Sequence, residues 1–326
     1  MITDSISKFI KENSKFILTT HETPDGDGIG SEYALYHGLI RMGKTVRIIN
    51  NDSISDHFSF ISSESGVFET LESVIDLPED IEDYVLFLID TNDINNIGAV
   101  SDVVLPRVKD YFIIDHHESG EDIATGHLIT KTASSTSEMM FEILKDLEIE
   151  IDMPMAQALF TGIVFDTGSF IYPKTSAKTF LVAHYLVSLG VSPNYVYSKI
   201  YESNSIASLR LHSKVVSNIE LFYNEQVALQ SMLKDTLIEC GAEYEEADQI
   251  INIPLKSKKI EVSIFFKENL EGILRCSLRS KGKVNVARIA QTFGGGGHKT
   301  AAGFKCRESY AACRTKVLDM VRLALE

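Results

Sequence analysis

The sequence predicts an α/β protein: a parallel-sheet N-terminal domain followed by a smaller α+β C-terminal domain. Three observations carry that reading. Over the first 185 residues, short apolar runs of β type alternate with helical patterns, as expected of a parallel sheet with crossover helices. Beyond residue 211 the pattern changes to pairs of strands around short polar turns. A chain of 326 residues also exceeds what one apolar core usually organises. The expected division is 1–186 for the first domain, 187–211 for a linker and 212–326 for the second.

Each element has its own support. Strands are expected at 16–20, 45–50, 84–90 and 111–115, where apolar and β-branched residues cluster between polar ones. A helix is expected over 28–42, apolar at helical spacing and stopped by Gly43. Ser135-Thr136-Ser137-Glu138 matches a capping box and opens another. Residues 155–165 are nearly all apolar and read as a buried helix. Residues 176–189 read as an amphipathic one that ends at Gly190, with Pro193 resisting continuation. In the second domain, hairpins are expected from 219–222 with 227–230, and from 261–267 with 273–280.

Composition narrows the function. The net charge of −15 disfavours a protein that grips long nucleic acid, which presents a broad basic surface to the phosphates. The charge is uneven: residues 274–316 hold ten Lys and Arg against Glu308 alone, a net +9 that leaves −24 for the rest. That stretch suits a local anion site. Cys240, Cys276, Cys306 and Cys313 form no CxxC pair and read as reduced thiols. No apolar run approaches the ~20 residues that span a bilayer, and the start lacks the features of a signal peptide, so no membrane partner and a cytoplasmic location are expected.

The chemistry-bearing residues fall at the ends of the expected strands. His21, Asp25 and Asp27 lie on a Gly-rich turn between a strand and a helix. Asp90 ends the third strand, and Asp115, His116 and His117 end the fourth. Open α/β sheets place ligands at that edge, and imidazole with carboxylate suits Mn²⁺ or similar ions. A fourth acid, Asp166, closes an apolar stretch where an isolated carboxylate is expensive to bury unless paired or metal-bound. Two divalent ions there can acidify a water and stabilise charge that develops at phosphorus. His37, His57, His127, His184 and His212 lack such neighbours.

In order and spacing, these four segments resemble the DHH phosphoesterase superfamily. The resemblance implies that His21, Asp25 and Asp90 bind one Mn²⁺, and that Asp27, Asp90, His116 and Asp166 bind a second, with Mg²⁺ or Co²⁺ as substitutes. It also implies that Asp115 orients a neighbour and that His117 faces the substrate phosphate. One segment departs from the family, which often carries an arginine shortly after the aspartate where this chain has Asp90-Thr91-Asn92-Asp93.

A second constellation comprises Ser277, Arg279 and Ser280, then Gly294-Gly295-Gly296-Gly297-His298-Lys299. Glycines allow close backbone approach to a phosphate or base. The stretch resembles the DHH-associated substrate-binding domain, which implies that Arg279, Ser280, Gly295, Gly296, Gly297 and His298 contact the nucleotide, with the metal site in the cleft between domains. Together the two resemblances are those of NrnA-type oligoribonucleases, or nanoRNases, which also dephosphorylate 3′-phosphoadenosine 5′-phosphate (pAp). The expected partners are short oligonucleotides or nucleotide bisphosphates, not long duplexes, with homodimerisation compatible with the first domain. The alternatives are a linear or cyclic dinucleotide phosphodiesterase and a RecJ-like single-strand DNA exonuclease.

Overall fold

The computed structural model describes residues 4–62, 66–73, 77–117, 127–203 and 205–325. The chain divides into two compact units, Met1–Ser203 and Asn204–Glu326.

The first unit runs α1 (Asp4–Glu12), β1 (Lys15–Thr19), α2 (Gly26–Arg41), β2 (Thr45–Asn50), β3 (Phe68–Thr70), β4 (Val85–Ile89), α3 (Val100–Val103), β5 (Asp110–Asp115), β6 (Leu128–Ile129), α4 (Thr136–Asp146), α5 (Met153–Asp166), α6 (Ala177–Ser188) and α7 (Pro193–Tyr201). Its six strands form one sheet in the order β3-β2-β1-β4-β5-β6, and every pairing is parallel. Both faces of the sheet are buried, as parallel sheets require. Phe16, Leu18, Val85, Phe87 and Ile89 face a core shared with α1, α2, α4 and α5. The intervening Ile17, Leu86 and Leu88 face Ile97, Val100 and Val104 on the other side. Gly30 brings α2 against α5, because a Cβ there would stand 2.3 Å from the carbonyl oxygen of Ala158. Strand order reverses between β1 and β4, and open α/β sheets bind ligands beyond the strand ends at such a switch point.

The second unit runs α8 (Ile206–Ser217), β7 (Glu220–Phe222), β8 (Val227–Met232), α9 (Lys234–Cys240), β9 (Val262–Glu268), β10 (Leu274–Ser280), α10 (Val286–Thr292), β11 (Gly296–His298), β12 (Ala301–Lys305) and α11 (Tyr310–Leu325). Its sheet order is β11-β12-β10-β9-β8-β7, antiparallel except for β8 with β9. One face packs on α10 and α11, and part of the other on α8 and α9. Both expected hairpins are present.

The stretch 187–211, expected as a linker, is instead largely helical, and its residue 204 lies outside the described residues. The preceding helix ends at Ser188 as expected, and Pro193 then starts α7: it occupies the first turn, where a missing N–H costs nothing, behind the Ser192 N-cap. Val196 and Ile200 then bury one helical face. Among the described residues no helix is long and apolar enough to cross a membrane.

Candidate metal centre

Four segments of the first unit converge beyond the ends of β1, β4 and β5. After β1, the Thr20 amide donates to Asn50 Oδ1 on β2, which fixes the exit toward His21. Asp25 is the N-cap of α2 and accepts the amides of Asp27 and Gly28, so the next carboxylate, Asp27, points inward from the first helical turn. Asp90 follows β4 in the left-handed region, with φ of 62°. A non-glycine residue rarely stands there unless its surroundings hold it. Asp115 is the last residue of β5, His116 and His117 follow it, and Asp166 ends α5.

These residues form a connected cluster. His21 Nε2 lies 3.6 Å from Asp25 Oδ2 and 3.7 Å from Asp90 Oδ2. His116 Nε2 lies 3.2 Å from Asp166 Oδ2, 3.6 Å from Asp90 Oδ1 and 3.9 Å from Asp27 Oδ2. His117 Nδ1 is 2.7 Å from Asp115 Oδ1. Among the described residues of the unit, three donor sets could hold a metal ion, each with its ligand atoms inside 4.8 Å: His21, Asp25 and Asp90; Asp27, Asp90 and His116; Asp90, Asp115 and His117. Asp90 is common to all three. Asp27, Asp90, Asp115 and His116 form a buried floor, whereas His21, Asp25, His117 and Asp166 keep about a quarter of their side chains exposed.

The start of α4 braces this floor. Thr136 and Ser137 donate their amides to the two oxygens of Asp27 at 2.7 and 2.8 Å, and Thr136 Oγ1 donates to Asp90 Oδ1 at 2.7 Å. The helix N-terminus is thus already occupied by the chain's own Asp27 carboxyl group. Gly162 makes room for it: a Cβ there would stand 2.0 Å from Ser137 Oγ and 2.7 Å from Asp27 Oδ1. The expected capping box is half present. Ser135 Oγ accepts the Glu138 amide, but the Glu138 carboxylate turns inward to accept from Ser134 and Thr179.

The electrostatics suit a cation. Burial, with repulsion from Asp90, Asp166 and Asp25, pushes the Asp27 carboxyl well above its usual range. Burial also raises Asp166, to about 6, although His116 opposes the shift. For His21, burial is outweighed by the hydrogen bonds of Asp25 and Asp90, which hold its imidazolium well above the ordinary range. For His117, burial is likewise outweighed by Asp115, and its value rises to about 9. Behind the centre, burial lifts Glu32 to about 8 despite a hydrogen bond from Asn50. Carboxylates crowded until they retain protons are relieved by a divalent ion, and imidazole nitrogens complete a donor set suited to one.

In the second unit, alternation along β10 places Arg275, Ser277 and Arg279 on one face and buries Cys276, Leu278 and Ser280 on the other. Ser280, expected beside Arg279, donates its hydroxyl to Val284 O and accepts the Gly282 amide, closing a turn. Ser277 shares the Arg279 face, and the period-two pattern of a strand could have revealed this. The glycine run is set by backbone approach to β12. A Cβ on Gly295 would stand 2.1 Å from Gly303 O, one on Gly297 2.5 Å from Ala301 O, and Gly297 has φ of 131°. Gly296, Gly297 and His298 pair with Gly303, Ala302 and Ala301. The four cysteines are free.

Comparison with known proteins follows the same division. Residues 15–163 match the DHH family, N-terminal domain, and residues 224–326 match the DHHA1 domain. The "Bifunctional oligoribonuclease and PAP phosphatase NrnA" of Bacillus subtilis is 29% identical over 290 residues, covering 88% of each chain. The "Cyclic-di-AMP phosphodiesterase GdpP" of the same organism is 26% identical over 322 residues, covering 93% of this chain but 46% of that one. The crystal structure of an exopolyphosphatase-related protein from Bacteroides fragilis superposes with a TM-score of 0.89 at 27% identity, covering 100% of this chain and 98% of that one. The chain thus joins a DHH N-terminal domain to a DHHA1 domain.

Proposed function

We propose that the protein is a metal-dependent phosphoesterase that hydrolyses short oligoribonucleotides to mononucleotides and pAp to AMP. One observation carries the reading: Asp90 belongs both to the His21 and Asp25 donor set and to the Asp27 and His116 set. A single carboxylate would therefore serve both donor sets. The similarity to NrnA along nearly the whole of both chains supports the substrate class.

In this reading His21, Asp25 and Asp90 hold one Mn²⁺, and Asp27, Asp90, His116 and Asp166 hold the other. Bound ions supply an acidified attacking water and offset charge on the phosphoryl oxygens. Asp115 fixes the tautomer and direction of His117, whose ring N–H donates to the leaving oxygen. Arg279, His298 and the glycine strand hold the nucleotide, and Ser280 supports their turn. The net charge of −15 works against binding long duplexes, and a cytoplasmic location fits such substrates.

The Mn²⁺-loaded protein is expected to release mononucleotides from dinucleotides and trinucleotides much faster than from long RNA, as read by chromatography. Equal rates would remove the nanoRNase assignment. The likeness to GdpP makes cyclic dinucleotides the competing substrate; faster turnover of these than of linear dinucleotides would select that reading. Arg279→Ala and His298→Ala are each expected to raise KM by about tenfold, since each removes a charge-assisted or buried donor. Metal content should stay unchanged in both, and loss of metal would contradict a substrate-holding role.

A further inference from the structure

The loop leaving α5 carries a feature that this reaction scheme does not use. Gly168, Ser169 and Phe170 are three successive left-handed residues, with φ of 54°, 61° and 68°. Such backbone costs a non-glycine residue about 1 kcal/mol or more, so the surroundings must hold it. They do so at several points. Thr167 Oγ1 accepts the Phe170 amide, and Thr167 O accepts those of Ile171 and Tyr172. The Ser169 amide donates to Val164 O. The Phe170 ring packs against Phe160 and Phe180, with centroids 6.0 and 5.3 Å away.

This fixed turn brings both ends of the loop back to one residue. At the near end, Asp166 Oδ2 stands 3.2 Å from the His116 imidazole. At the far end, Lys174 Nζ donates to the main-chain oxygen of His116 at 3.0 Å. That oxygen belongs to the peptide joining His116 to His117, so one ammonium restrains the backbone that aims both rings. The segment after Asp90, Thr91-Asn92-Asp93, carries no cation of its own.

We propose that Lys174 is a positioning residue of the metal centre, acting through the His116 carbonyl and not on the substrate. The inference rests on the metal-dependent reading of that centre. Without the donor, the buried peptide loses its partner and the His116 ring loses its fixed approach to Asp27 and Asp90.

The test uses the full chain carrying Lys174→Met or Lys174→Arg, with Mn²⁺ titrated calorimetrically into metal-free protein. Turnover of pAp is measured in parallel. Lys174→Met is expected to weaken Mn²⁺ binding and lower kcat by about tenfold each, with KM changed by less than about twofold. Lys174→Arg, which keeps a charged donor, should recover most of both. Unchanged Mn²⁺ affinity and kcat in the Met variant would overturn the proposal. So would a rise in KM alone, which belongs to a substrate contact, or an Arg variant as impaired as Met. Should the unaltered protein cleave no phosphate ester, the proposed function fails, yet the Mn²⁺ affinities still decide what Lys174 does.

Discussion

Six expected ligands, His21, Asp25, Asp27, Asp90, His116 and Asp166, gather in one cluster, with Asp90 at its centre. They were legible because each ends a strand or stands on the turn or helix end beside one, where its place follows from the backbone. Lys174 was not, since it reaches His116 from 58 residues away, and no local pattern records such a contact. Glu32 was also invisible: only the fold shows it fully buried, with Oε1 lacking a hydrogen-bond partner among the described residues. Its carboxyl titrates near 4.5 when unfolded and near 8 when folded. Between those values the folded state holds a proton that the unfolded state lacks, so this contribution is present below pH 4.5 and lost as pH rises through 8. Glu32→Gln is therefore expected to stabilise the metal-free protein by on the order of a few kcal/mol at alkaline pH and by little under acidic conditions. Melting curves in chelator across that range check it, and a constant difference would refute it.

At the scale of elements, β1, β2, β4 and β5 were readable because parallel strands buried on both faces leave continuous apolar runs. The short β3, β6 and β11 were not, since two or three residues carry no periodicity. The helix over 193–201 was missed because Pro193 was read only for the end of the helix before it and not for the start of the next. The meeting of α5 with α4 depends on a missing side chain at Gly162. Gly162→Ala should drive a methyl into Ser137 and the Asp27 carboxylate, costing about 1–3 kcal/mol of stability. Displacing Asp27 by a fraction of an ångström should lower kcat by about tenfold or more. Calorimetric Mn²⁺ affinity together with turnover checks this, and a variant that melts lower but binds and turns over normally would show that the contact serves packing alone.

At the scale of the whole molecule, the change from alternating to hairpin patterns announced two units, and the boundary was harder because the connecting stretch is itself helical. Divalent ions that bind only the folded first unit should stabilise it by mass action, about 2.7 kcal/mol at a hundredfold excess over Kd. That corresponds to roughly 5–10 °C in melting temperature for a unit of this size, reversed by chelator, and scanning calorimetry reads it directly. The sheet order adds a kinetic corollary. The turn carrying His21, Asp25 and Asp27 leads to β2 on one side of the reversal, while Asp90, Asp115 and His116 hang from β4 and β5 on the other. The His21, Asp25 and Asp90 set and the Asp27, Asp90 and His116 set each draw on both sides, so neither is complete until β1 and β4 have paired. A divalent ion held by those two sets would act as a latch on a closed door, delaying escape from the native state and leaving the speed of arrival unchanged.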